Sequence, residues 1–128
     1  MNINDFLIEN NINSNVQKEV IASNRFKDED DNIIPFKIRN VTTEEYSDIV
    51  RLVGNNKMLA NSHLVAKCCV EPNFNSIELQ NHYGTQDSAK LVEKILLVGE
   101  IVNLADKILV LSGYGQSFDE LVEEAKKR

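Results

Sequence analysis

Between Ile33 and Tyr46 the chain changes its hydrophobic period, and that change limits the folds open to it more than any other feature. Ile34, Phe36 and Ile38 alternate with Pro35, Lys37 and Arg39, the period of two that puts every second side chain on one buried face of a strand. Directly afterwards Thr42 and Glu45 fit a reciprocal capping box, with Val41 and Tyr46 placed as its hydrophobic staple. The apolar positions Tyr46, Ile49, Val50 and Val53 then follow helical spacing as far as Gly54, a residue suited to ending a helix in a left-handed conformation.

The strand side of this switch extends backwards. From Lys18 to Phe26 the β-branched pair Val20-Ile21 leads toward Phe26, and Asp28-Glu29-Asp30-Asp31-Asn32 between the two segments has the side chains that bond nearby backbone in turns. A β-hairpin over residues 18–40 is the economical reading. Pro35 has no amide proton, so the second strand is expected at an edge, or with Pro35 turned away from the pairing.

The helical side extends forwards. A second helix is expected from Lys57 to Val70, with Met58, Leu59, Ser62, Val65, Cys68 and Cys69 along one side and Pro72 as its stop, although Cys68-Cys69-Val70 also suits a short strand. Ser76 caps a brief helix through Tyr83 that Gly84 closes, and Asp87 caps another carrying Leu91, Ile95 and Leu96, with Gly99 as the interruption. Ile101, Leu104, Ile108 and Leu111 form the next stripe, ended by Gly113 and Gly115. Ser117 and Glu120 repeat the capping-box pattern before a last helix with Phe118, Leu121 and Val122. The fold class expected is α+β, one amino-terminal hairpin and then a mainly helical body of about five helices over residues 42–128. Residues 18–128 read as a single domain, preceded in residues 1–17 by a short helix over Asn4–Glu9, anchored by Phe6 and Leu7, and a polar linker.

Composition narrows the chemistry. The 128 residues, 42% apolar and 27% charged, suffice for a core without a disulfide or metal staple. A net charge of −6 opposes binding through nucleic-acid phosphates, which needs clustered cations, and the longest cationic run is Lys126-Lys127-Arg128. No apolar stretch approaches the roughly 20 residues of a membrane span, and Met1-Asn2-Ile3-Asn4-Asp5 lacks signal-peptide character, so the cytoplasm is the expected location.

Cofactors, metals and a catalytic centre are not expected. Cys68 and Cys69 are neighbours that read as buried small hydrophobes. Asp28, Asp30 and Asn32 alternate as in a calcium loop, but Ile33 stands where that loop requires Gly and Arg39 where it requires a bidentate Glu, so a solvated turn is the better reading. His63 and His82 lack zinc-ligand spacing, His63 reading as a partly exposed helix residue and His82 as a helix-end cation. Gly113-Tyr114-Gly115 lacks the third glycine and the preceding strand of a nucleotide fingerprint. Ser112 and Ser117 have no base at a recognisable spacing, and Glu123-Glu124 reads as a solvated helix face.

The order of short motifs supplies what periodicity does not. Arg25-Phe26-Lys27-Asp28, Ile34-Pro35-Phe36-Lys37-Ile38-Arg39 and Thr42-Thr43-Glu44-Glu45 resemble the amino-terminal half of the XkdN-like family of phage tail assembly chaperones. Val70-Glu71-Pro72-Asn73-Phe74, Glu78-Leu79-Gln80 with Tyr83-Gly84, Leu96-Leu97-Val98-Gly99-Glu100 and Leu111-Ser112-Gly113-Tyr114 resemble its second half, which ends in the acidic run Phe118 to Ala125. The resemblance spans about Val20 to Lys127, and Val98 departs from it where the family more often has Pro.

The resemblance implies a non-enzymatic assembly chaperone of a contractile phage tail or phage-tail-like bacteriocin. It would bind the tape measure protein, with tail tube subunits as a second client, before polymerisation, and be absent from the finished particle. A long amphipathic client exposes apolar stripes until tube subunits cover it, and a small acidic protein coating them keeps it in solution. Apolar residues on the helical body are the expected contact points: Tyr46 and Val50 on the helix after the hairpin, and Phe118, Leu121 and Val122 on the last helix. Self-association stays open. The alternative is a minor structural component of the tail tube or baseplate, retained in the particle.

Overall fold

The computed structural model describes residues 2–6 and 16–114. After a single 3₁₀ turn at Ile3–Phe6, the elements are β1 (Gln17–Val20), β2 (Phe36–Arg39), α1 (Thr43–Val53), α2 (Lys57–Cys68), β3 (Cys69–Glu71), α3 (Ile77–Tyr83), α4 (Ser88–Ile95) and α5 (Val98–Leu111). A small antiparallel sheet thus leads into and is completed by a helical body, the expected α+β class. No described helix is long and apolar enough to cross a membrane.

The sheet has the order β1-β2-β3. Gln17 faces Arg39 and Val20 faces Phe36, so the expected hairpin partners do pair. Both strands are shorter than the alternation suggested, and the reason lies in the connection. Ile21 to Phe26 leaves the ladder and runs toward α5, where the Lys107 ammonium donates to the Ile21 carbonyl at 3.3 Å. Pairing resumes only at the tip, where Lys27 bridges Ile33 and the Ile34 N–H donates to the Phe26 carbonyl. The tip is the expected turn: the Asp28 carboxylate accepts from the N–H groups of Asp30 and Asn32, both at 2.9 Å. Ile34 is therefore exposed, while Phe36 and Ile38 are buried as the pattern requires.

The second strand is not at an edge. β2 is central, because β3 pairs with its other side, Ile38 opposite Cys69 and Lys37 opposite Glu71. Pro35 is accommodated by standing just before the first ladder residue. The end of α2 resolves accordingly: the helix stops at Cys68, and Cys69–Glu71 is the short strand, followed by Pro72 after a cis peptide bond.

The body is organised around α2, which packs on α1, α4 and α5. That central place explains why its buried residues, Ser62, Leu64, Val65, Ala66 and Cys68, exceed one stripe. The core continues through Phe74, Leu91, Val92, Ile101, Leu104, Ala105 and Ile108. Burial of these large side chains, at roughly 1.5–3 kcal/mol each, is the main favourable term.

Helix ends follow local chemistry. The Thr42 hydroxyl accepts from the Glu45 N–H and the Glu45 carboxylate from the Thr42 N–H, at 3.2 and 3.0 Å. Asn56, Ser76 and Asp87 cap α2, α3 and α4 through side-chain oxygens. Gly84 ends α3 in the left-handed region, whereas Gly54 has positive φ with ψ at −124°, outside it. The break between α4 and α5 falls at Leu96-Leu97, not at Gly99, which lies inside the first turn of α5. What specifies that start is Glu100, whose carboxylate accepts from the Leu97 N–H at 2.8 Å.

Two arginines tie the sheet region to the helices. Arg39 forks onto the Glu45 carboxylate at 2.9 and 2.8 Å and also donates to the carbonyls of Asn40 and Lys67. Arg25 does the same on the opposite flank, forking onto Glu100 and reaching the Ile95 carbonyl at 2.7 Å. In both cases the carboxylate is the one that caps a helix. Bidentate pairing of this kind fixes orientation as well as distance.

Candidate functional site

The carboxyl-terminal end of α5 meets the start of α1. The Ser112 hydroxyl donates to the Ile108 carbonyl at 2.6 Å and accepts from the Val41 N–H at 2.8 Å, so one side chain joins the two elements. The Tyr46 and Tyr114 rings then face one another with centroids 6.2 Å apart. Val41, Thr42, Thr43, Tyr46, Ser47, Ser112 and Tyr114 enclose a shallow groove of about 140 Å³.

Its lining mixes hydroxyl-bearing and apolar side chains, and apolar surface stands exposed beside it. Tyr46 is half-buried against the core, which accounts for its place in the helical stripe. Val50, one turn further along α1, is 48% exposed, and Tyr114 is 55% exposed. Residues spaced by four are neighbours on a helix surface, so Tyr46 and Val50 form one patch. Of the residues anticipated as contact points, the structure places Tyr46 and Val50 together beside this groove. Phe118, Leu121 and Val122 lie outside the described residues. Tyr114 was not anticipated, because the sequence around it reads as a terminator; its signal was an aromatic between two glycines.

A second apolar surface lies at the other end of α5, where Leu97 and Val98 are exposed with Val102 one turn on. Both surfaces lie on the helical body.

A cleft of about 400 Å³ lies among α1, α2 and the start of α4, lined by residues that include Asp48, His63, Lys67, Asn75, Asp87 and Ser88. Several of its polar groups are occupied in holding the fold. The Asp87 carboxylate caps α4 by accepting from the Ala89 and Lys90 N–H groups, Asp48 pairs with Arg51, and Ser88 donates to Asn75 at 2.6 Å. Among the described residues no group of three or more His, Cys, Asp or Glu converges as metal ligands would.

Ionisation follows the same structural logic. The Arg25 guanidinium holds the Glu100 carboxyl down at about 2, aided by the Leu97 N–H. Arg39 holds Glu45 at about 2 in the same way, with the Thr42 N–H contributing. Burial pushes the Cys68 thiol up to about 11 and Cys69 to about 12. These thiols are poor nucleophiles, as their buried-hydrophobe reading anticipates.

Comparisons with known proteins agree on the fold and on the lineage. The crystal structure of the protein YqbN superposes with a TM-score of 0.73 over 86% of this chain and 95% of that one, at 23% identity, which speaks for the fold. In sequence the chain is 31% identical to YqbN of Bacillus subtilis (strain 168), and 30% identical to the protein XkdN of the phage-like element PBSX from the same organism. Each match spans 84% of this chain and 82% of the relative. The family described as phage XkdN-like tail assembly chaperone protein, TAC, matches residues 3–126, so that nearly the whole chain is accounted for. With its motifs, fold and relatives in agreement, this chain belongs to the XkdN-like family of phage tail assembly chaperones.

Proposed function

We propose that the protein is a non-enzymatic chaperone that binds the tape measure protein, with tail tube subunits as a second client, before tail polymerisation. It works in the bacterial cytoplasm and is left out of the finished particle of a contractile phage tail or phage-tail-like bacteriocin. The observation that carries this reading is the exposed apolar surface of Val50 and Tyr114 beside the half-buried Tyr46 at the α1–α5 junction, in a chain of this family. Rigid aromatic groups beside an aliphatic one suit an amphipathic helix laid into a groove, whose anchors recur at helical spacing. Shielding a client in this way uses burial of apolar surface and needs no nucleotide.

Light scattering of a tape measure protein fragment tests the reading. The intact protein suppresses its aggregation at stoichiometric amounts, and Val50→Asp, at an exposed position where folding is little affected, loses that effect. A fragment that aggregates equally fast with and without the intact protein rules the reading out. Mass spectrometry of purified particles separates it from a retained tube or baseplate subunit, which would appear in fixed stoichiometry.

A further inference from the structure

The two exposed apolar surfaces described above are joined along α5. Val98, Val102, Asp106 and Val110 follow one another at intervals of four, so they form a single ridge on the outer side of the helix, and all are exposed. From Val98 to Val110 the ridge measures about 18 Å at 1.5 Å per residue, and it ends just before Tyr114 at the α1–α5 junction. The inner side of α5 is apolar as well, since Ile101, Leu104, Ala105 and Ile108 are buried. A helix apolar on both sides calls for cover on both.

Gly99 is a second, independent sign. It is exposed beside Val102, three positions on, where glycine weakens a helix relative to alanine. Nothing in the fold stands within 4 Å of an added Cβ, so internal packing does not call for it. The missing side chain lets another backbone come close to α5 at this point.

Charge selects the occupant. Of the charged residues on α5, Glu100 is held by Arg25, and the Lys107 ammonium donates to the Ile21 carbonyl. Asp106 makes no ion pair among the described residues and is the one charge on the ridge. In a two-fold pairing with a second copy, Asp106 would be covered by a valine or by its own counterpart, and either leaves a carboxylate without a cation. Two copies of net charge −6 also repel. A helix that brings Lys or Arg opposite Asp106, between apolar or small residues, satisfies the whole ridge.

We propose that the outer ridge of α5 is a docking track for one amphipathic helix of the client, apolar along its contact stripe with a Lys or Arg near the middle, and that this helix continues into the Tyr46–Tyr114 groove. The assignment rests on the chaperone reading above and extends its contact surface from the junction along the length of α5. Spanning Val98 to Val110 takes about three turns of client helix.

Binding of a fluorescently labelled tape measure protein fragment to the full chain, read by anisotropy, tests this. Val98→Asp puts an acid in the first turn of α5, which the helix dipole favours, so the fold is kept while the track is interrupted. Asp106→Lys reverses the one charge at an exposed position, where folding is little affected. Each weakens binding at least about tenfold, and the loss in Asp106→Lys shrinks at high salt. Ile77→Asp, at an exposed residue of α3 outside the ridge, leaves binding unchanged. Wild-type affinity in both α5 variants, with binding lost in Val50→Asp, confines the client to the junction and overturns the track while the chaperone reading stands. Loss in Val98→Asp alone overturns the basic client. A wild-type dimer in sedimentation that Val98→Asp dissociates gives the ridge to a second copy and overturns the assignment likewise. A fragment that binds no form removes the chaperone reading, and the track with it.

Discussion

The Arg25 guanidinium grips the Glu100 carboxylate at 3.1 and 2.6 Å although the two residues stand 75 positions apart. The carboxylate is nearly buried, its side chain 11% exposed, and it also caps α5 at Leu97. One group therefore fixes both the path of the segment after β1 and the corner between α4 and α5. Arg39 and Glu45 repeat the arrangement at the start of α1.

Glu100→Gln removes the charge while keeping the shape, and should destabilise the protein by about 2 kcal/mol at pH 7, read from urea midpoints at unchanged slope. The pH dependence has a definite sign. Glu100 and Glu45 are both held at about 2 in the folded protein, below the ordinary 4.5, so their contribution is complete above pH 4.5 and is lost as pH falls toward 2. The difference between wild type and Glu100→Gln should therefore shrink on acidification.

Two glycines should respond in opposite directions. Gly84 has φ of +69° at the end of α3, so Gly84→Ala should cost about 1 kcal/mol although nothing stands within 4 Å of the added Cβ. Gly99 lies in the first turn of α5, also with open space around it, and Gly99→Ala should stabilise by about 0.5–1 kcal/mol. Thermal midpoints moving the same way in both variants would contradict the assigned helix boundaries.

Phe74 is completely buried although it belongs to no helix or strand, standing between β3 and α3. Phe74→Ala should cost about 3–5 kcal/mol, as for other large core deletions, and equilibrium unfolding in urea measures it.

Thiol labelling checks the burial of the cysteine pair. With thiols near 11 and 12, only about one part in a thousand of Cys68, and less of Cys69, is thiolate at pH 8. Native protein should react with iodoacetamide only at its opening rate, while protein in denaturant should take up both equivalents at once.

Much of this architecture could be read from the chain because local chemistry decides it. The Thr42–Glu45 box, the Ser76, Asp87 and Gly84 helix ends and the Asp28 turn all act within a few residues, and each appears as the sequence implies. What the sequence concealed is settled at long range. Ile34 reads as a strand residue, but Arg25 and Lys107 draw the facing segment away from its ladder. Leu64 and Ala66 fall outside a single stripe, because only a helix with neighbours on several sides buries them. A short strand at the end of α2 is one of the two readings the local sequence leaves open, and its pairing with β2 is decided only by α2 delivering Cys69 there. The surface residues divide in the same way: Tyr46 and Val50 follow from helix periodicity, while Tyr114 becomes part of the patch only because Ser112 holds the end of α5 against Val41.

The direct passage of α2 into β3, with no loop between Cys68 and Cys69, makes the sheet an outgrowth of the central helix. A displacement of α2 along its axis carries the outer strand with it, and β2 and β1 must follow or unzip. The amino-terminal ribbon is thereby tied to the bundle through one continuous run of backbone, and cannot be repositioned independently of α2 without breaking the β2–β3 pairing.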